Sequence, residues 1–143
     1  MYFTTHLLGG AAVGAVVGQP VAAFAAGVLS HAGLDAVPHN DYHQFRYAAI
    51  DILLGSAVYF LFVRQLGPGV ELGAIGGFLP DLEVALNHTL ASLRPGLRWR
   101  NVFPSHSGVT PHGSASCRTG FFIQVAVSLL ALAVLTLARR GGL

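Results

Sequence analysis

The sequence predicts an all-α integral membrane protein: one domain over residues 1–143, a helical bundle of four to five spans whose first two segments form a short helical hairpin. Three observations predict it. Of 143 residues, 53% are hydrophobic and only 10% charged, against roughly a quarter charged in soluble domains. Mean hydropathy is +0.61. Apolar segments separated by Gly, Pro and polar residues divide the chain, and the last three reach the ~20 residues that cross a bilayer as a helix.

Segment one runs from about Phe3 to Val17. The start, MYFTTHLLGG, lacks the positively charged opening of a secretory signal, so this segment is expected to stay in the mature protein. Segment two runs from Pro20 to about Val37. Gly after one helix and Pro at the first position of the next are stop and start signals, so Gly18-Gln19-Pro20 reads as the turn of a hairpin.

The hairpin has a geometric consequence. Let its two free ends define side A and its turn side B. A rise of about 1.5 Å per residue puts His6 about 18 Å from Gly18 and His31 about 17 Å from Pro20. Segment three, from about Tyr47 to Gln65, returns to side B. Segment four, from Val70 to about Leu90, climbs again and lifts Asp81 about 17 Å above Val70. Three ionisable residues on three helices thus arrive at one level. A single helix over residues 3–37 would remove that coincidence.

Segment five, Thr119 to Ala138, has little polar content beyond Gln124 and Ser128 and ends at Arg139 and Arg140. It reads as a plain span. Asp51, at the start of segment three beside Arg46 and Tyr47, reads as structural, a helix cap or an interfacial charge partner. Gly10, Gly14 and Gly18 make one GxxxGxxxG row, and Gly69, Gly73 and Gly77 another. Small residues four apart let helix backbones approach closely within a bilayer.

Composition also excludes. A net charge of +2 with no basic block gives no footprint for nucleic acid. All eight basic residues are arginine, and the single Cys117 rules out an internal disulfide or a thiolate-rich metal site. Arg46, Arg94, Arg98, Arg100 and Arg118 fall on side A, and Arg64, Arg139 and Arg140 on side B. The positive-inside tendency therefore puts side A in the cytoplasm.

The ionisable residues crowd toward side A. His31 and Asp35 are four apart and share a helix face. His39 continues the spacing, but Pro38 places it just beyond the helix end, and Asp41 and His43 follow in the loop. Nitrogen and carboxylate donors at this density suit a divalent ion, zinc first, with manganese or iron as alternatives. Asp35 and Asp41 are each either a ligand or a carboxylate that orients a ligating imidazole. Asp81 follows Pro80 inside an apolar helix, where an ionised carboxylate needs a cation. A metal shared with His6 and His31 supplies one. Glu83 points elsewhere on the helix and is a weaker candidate, and His88 reads as an interfacial residue. The loop VFPSHSGVTPHGSAS, residues 102–116, adds His106 and His112 on side A, with Ser105, Ser107 and Thr110 suited to a phosphate or sugar.

Taken in order, THLLGG, LSHAGLDAVPHND and GGFLPDLE resemble the membrane-bound metal-dependent hydrolases of bacteria. The recurring motifs of that family are an early Thr-His, an aspartate-rich LPD segment and a His-x-Gly-x-Thr-His loop. The likeness covers most of residues 4–113. It implies a metal held by candidates His6, His31, Asp35, His39 and Asp81. Two departures stand out: Glu83 occupies the place of a second aspartate, and HSGVTPH sets His112 one residue late.

The expected activity is metal-assisted hydrolysis of an ester or phosphoester, with a membrane lipid as the first substrate to consider. The metal polarises the substrate oxygen and activates a water. Asp35 or Asp41 is the expected base, and His106 or His112 the leaving-group acid. The expected setting is the bacterial cytoplasmic membrane, with the site facing the cytoplasm and the chain working as a homo-oligomer or in a larger complex. Two other classes stay open. One is a non-catalytic small membrane subunit whose histidines bind metal, haem or a pigment. The other is a metal or proton pathway, which calls for polar groups on both sides of the membrane.

Overall fold

The computed structural model describes residues 1–94, 96–97 and 99–141, which are helical with no strand among them. Helix α1 spans Phe3–Val17 and α2 Pro20–Ala36. Between them Gly18 adopts φ 72 and its amide bonds back to the Gly14 carbonyl, a left-handed turn that glycine makes without steric cost. Pro20 opens α2, where its missing N–H is no loss. The Gln19 side chain accepts from Ala22 N and caps the new helix.

Helix α3 covers Phe45–Leu61 and passes into a 3₁₀ turn at Val63–Leu66. It begins two residues ahead of the sequence expectation. After Gly67, at φ 111, α4 runs for 26 residues over Pro68–Leu93 and continues through Pro80. Pro80 withdraws the amide that would serve the Gly76 carbonyl and leaves the rest of the ladder in place. A single turn, α5, covers Pro104–Ser107, and α6 covers Cys117–Arg139.

Helix α4 is the centre of the packing, with α1 and α2 against it. The glycine rows are where α1 and α4 cross, antiparallel. A Cβ on Gly10 would strike the Gly73 carbonyl, one on Gly14 the Gly69 carbonyl, and one on Gly77 the His6 carbonyl. Helix α2 comes equally close to α4: a Cβ on Gly27 would strike the Gly73 carbonyl, and one on Gly76 the Phe24 carbonyl. Around this crossing Leu7, Leu8, Ala11, Val63, Val70, Ala74, Ala131 and Leu135 form the buried core.

Helix α6 lies along α1 and turns Gly120, Gln124, Ala131 and Leu135 inward. Its opposite face, with Phe121, Phe122, Leu129 and Leu130, is exposed. Helix α3 buries only Gly55, and Ile50, Leu53, Leu54, Phe60 and Leu61 face outward. Among the described residues, two helices are long and apolar enough to cross a membrane: α3 with its 3₁₀ extension, Phe45–Leu66, and α6. Arg139 lines a groove with Gly14, Gly18, Leu66 and Gly69, so α6 ends at the Gly18 end of the bundle. Arg98 lies outside the described residues.

Candidate metal centre

At the end opposite the Gly18 turn, helix rise and helix crossing converge on one cluster. His6 from α1, His31 and Asp35 from α2, and Asp81 from α4 enter it, joined by His106 from α5. The nearest ligand atoms of His6, His31 and Asp81 lie within 4.8 Å of one another, as do those of His31, Asp35 and His106. Asp35 is the hub. Its Oδ1 is 3.1 Å from His6 Nε2, and its Oδ2 is 3.2 Å from His31 Nε2 and 3.4 Å from His106 Nε2. Asp81 stands on the other side, 3.7 Å from His31, 3.6 Å from His106 and 4.0 Å from His6. The His6, His31 and Asp35 side chains are fully buried, while Asp81 is 28% exposed.

A second group of donors adjoins the first. His39 and His112 bring their Nε2 atoms to 3.1 Å, and His112 Nδ1 is 3.7 Å from Asp35 Oδ2. Asp41 faces both rings at 3.3 Å and is 59% exposed. The Met1 amino group sits among them, 2.9 Å from His39 Nε2 and 3.2 Å from both Asp35 Oδ1 and Asp41 Oδ1. The Asp41 carboxyl is held below the usual carboxylate range, first by the His39 ring and against the cost of burial. The positive charge of the Met1 amino group beside it adds to the lowering.

Ring tautomers test whether these donors fit a metal. His31 Nδ1 lies 2.6 Å from the Gly77 carbonyl, and His39 Nδ1 lies 2.8 Å from the Val37 carbonyl. A carbonyl only accepts, so each Nδ1 carries the proton, and the neutral ring turns a bare Nε2 lone pair inward. The His39 lone pair accepts from the Met1 amino group, while the His31 lone pair faces the Asp35 and Asp81 carboxylates. Protonating every ring instead would press cationic imidazoles together at 3.3 Å (His31 and His106) and 3.1 Å (His39 and His112). A cation between the donors removes both conflicts. Spacing agrees: donors at ~2.0 Å from a tetrahedral ion lie about 3.3 Å apart. His6 Nδ1 and His106 Nδ1 are buried with no hydrogen-bond partner among the described residues, so these rings find partners only on their Nε2 edge.

Residues outside the cluster hold it in place. Ser105 Oγ donates to Asp35 Oδ2 at 2.6 Å. Glu83 accepts from the Val102 and Phe103 amides, which fixes the entry to α5 and so the placement of His106. Gln124 accepts from Tyr2 N and donates to the Asn40 carbonyl, tying α6 to both chain segments that flank the second group. Asp51 accepts from Thr4 N and from the Tyr42 hydroxyl, so it caps α1 from its place in α3. Burial, then the bond to Asp51, pushes the Tyr42 phenol above its ordinary range, which keeps it a donor. Glu83→Ala is expected to weaken metal binding by roughly 10–100-fold, the range for groups that orient a ligand, with helix content unchanged. Glu83→Gln keeps one acceptor and should recover part of the loss. Titration of metal into ion-free protein reads both, and an affinity equal to wild type in each removes Glu83 from this role.

The cluster contains every residue that the sequence nominated as ligand, base or acid: His6, His31, Asp35, His39, Asp41, Asp81, His106 and His112. His43 is exposed and apart from it. His88 lines an open cleft of about 380 Å³ with Asn87, Trp99, Arg100 and Asn101, and His106 forms the cleft's boundary with the cluster. Ser105 as an Asp35 partner, Glu83 as a loop anchor and Gln124 as a tie were not foreseen. A polar residue inside an apolar span was the available signal for Gln124, because buried amides are hydrogen-bonded. Comparison with known protein families, curated proteins and solved structures finds no match for this chain.

Proposed function

We propose that this protein is a metal-dependent hydrolase of the bacterial cytoplasmic membrane, acting on an ester or phosphoester carried by a lipid. The observation that carries the reading is the convergence of His6, His31, His106, Asp35 and Asp81 at the spacing of ligands around a divalent ion. His6, His31, His106, Asp35 and Asp81 hold that ion, with zinc as first choice from the mixed nitrogen and oxygen donors. A bound ion of this kind polarises a substrate oxygen and makes water a nucleophile near neutral pH.

The chain's own groups divide the remaining work. Asp35, sealed and contacted on both oxygens, orients the rings. Asp41 is the most exposed of the three carboxylates, and it positions the attacking water by accepting its hydrogen bond, the water's proton going to solvent as the leaving oxygen takes one up. The cleft beside His106 receives the headgroup. Arg100 faces an anionic oxygen there, and Trp99 sits at the bilayer interface, where its ring is favoured. In this reading α3, α4 and α6 cross the bilayer, the α1–α2 hairpin completes the four to five spans, and the site opens to the cytoplasm.

The test is hydrolysis by detergent-purified protein of a panel of phospholipids and water-soluble phosphoesters. Turnover should vanish on chelation and return with zinc or manganese. Turnover indifferent to chelation, or equal in His31→Ala, rejects the reading.

A further inference from the structure

The donors around Asp35 outnumber what one ion can use. Five imidazoles and three carboxylates meet in one place, and an ion with four to six positions cannot reach them all. Geometry divides them. His6, His31, His106 and Asp81 group together, and His39 and His112 form a second group, which meets Asp35 through His112. Among the described residues, the histidine–carboxylate approach within 4.0 Å that joins the two groups is His112 to Asp35.

We propose that the site holds two ions sharing the Asp35 carboxylate, the second bound by Asp35, His39 and His112 and opening toward Asp41. This rests on the metal-centre reading above and adds to it a co-catalytic pair. Three protein ligands with an open fourth position describe a catalytic rather than a structural ion. The open position faces Asp41, which places a hydrogen-bond acceptor beside a water on the second ion. A shared carboxylate sets two ions about 3.5–4 Å apart, the separation at which both oxygens of a displacement on phosphorus are stabilised. The His39 ring is oriented for ligation by the Val37 carbonyl, as the His31 ring is by Gly77. Both sets therefore show the second hydrogen bond that metal-binding histidines make.

The Met1 amino group is the competing cation. It lies against Asp35, His39 and Asp41, so the donors of the second set already attract positive charge, and an ion has to displace it.

The experiment is metal stoichiometry on full-length protein in detergent, saturated with zinc or manganese and freed of excess by desalting. Two equivalents per chain are expected, falling to one in His39→Ala and in His112→Ala. The His112 ring is 34% exposed, so its loss leaves folding intact. Wild-type protein loaded with manganese gives an independent readout that needs no variant: paramagnetic resonance should report a spin-coupled pair, and His112→Ala a single isolated ion. One equivalent that is unchanged by His39→Ala and His112→Ala, with an uncoupled spectrum, overturns the second ion and leaves the first standing. Protein that binds no metal overturns both readings together.

Discussion

His31→Ala is expected to cost the protein its inner ion, with metal affinity at that position falling by more than the roughly 100-fold that marks loss of an orienting group. The reason is position. His31 Nε2 faces Asp35, Asp81 and His106 at 3.2, 3.7 and 3.3 Å, so one ring borders three other donors. Its removal leaves the Asp35 and Asp81 carboxylates near each other without the ring between them. Breaking a buried charged arrangement by deleting one partner costs about 3–5 kcal/mol, so the metal content has to be read on the fraction that elutes as folded protein. Asp81→Ala should lower the same ion's affinity from the opposite side, with a smaller folding cost because this carboxylate is partly exposed. Elemental analysis of wild type beside the two variants decides. Equal metal in all three rejects the inner site.

Gly73→Leu is expected to have the largest effect on stability of any single change at the glycine crossing of α1, α2 and α4. A Cβ at this position meets the Gly10 carbonyl and the Gly14 backbone of α1, while Gly27 of α2 presses on the Gly73 carbonyl. Backbone on both sides leaves no flexible side chain to move aside. Overpacking a tight core costs about 1–3 kcal/mol where neighbours can shift, and here the three helices must separate instead, so the loss should reach or pass the top of that range. Gly33 is the control: nothing lies within 4 Å of a Cβ there, and Gly33→Ala should be neutral or gain about 0.5–1 kcal/mol from helix preference. Thermal unfolding in detergent compares them. A Gly73→Leu protein that melts with wild type means the glycine rows are not a contact.

What could be read from the chain was whatever local physics writes into it. Gly18 and Pro20 mark the hairpin because one prefers positive φ and the other lacks an N–H, and neither fact depends on the rest of the fold. Helical rise alone sets His6, His31 and Asp81 at one level, and their ligand atoms lie within 4.8 Å of each other. The glycine spacing points to close helices, and Gly10 meets Gly73 and Gly77. Loops were another matter. No periodicity governs residues 37–44 or 102–116, so the pairing of His39 with His112 could not be read from spacing. Glu83 does point away from the cluster, as its offset from Asp81 requires, but what it points at is a pair of amides some 20 residues ahead. Gln124 was taken for incidental polarity in a plain span, because its partners, Tyr2 and Asn40, belong to segments that sequence alone does not bring near α6.

The glycine crossing also decides the traffic through the protein. Between the ionisable cluster and the Gly18 turn, α1, α2 and α4 touch backbone to backbone, and Leu7, Leu8, Ala11 and Ala74 fill what remains with almost no accessible surface. Backbone and apolar side chains packed this closely give an ion or a proton no polar groups to move along. Among the described residues the exposed parts of the cluster are Asp41, His112 and Asp81, so solvent meets it from that end and not across the helix crossing.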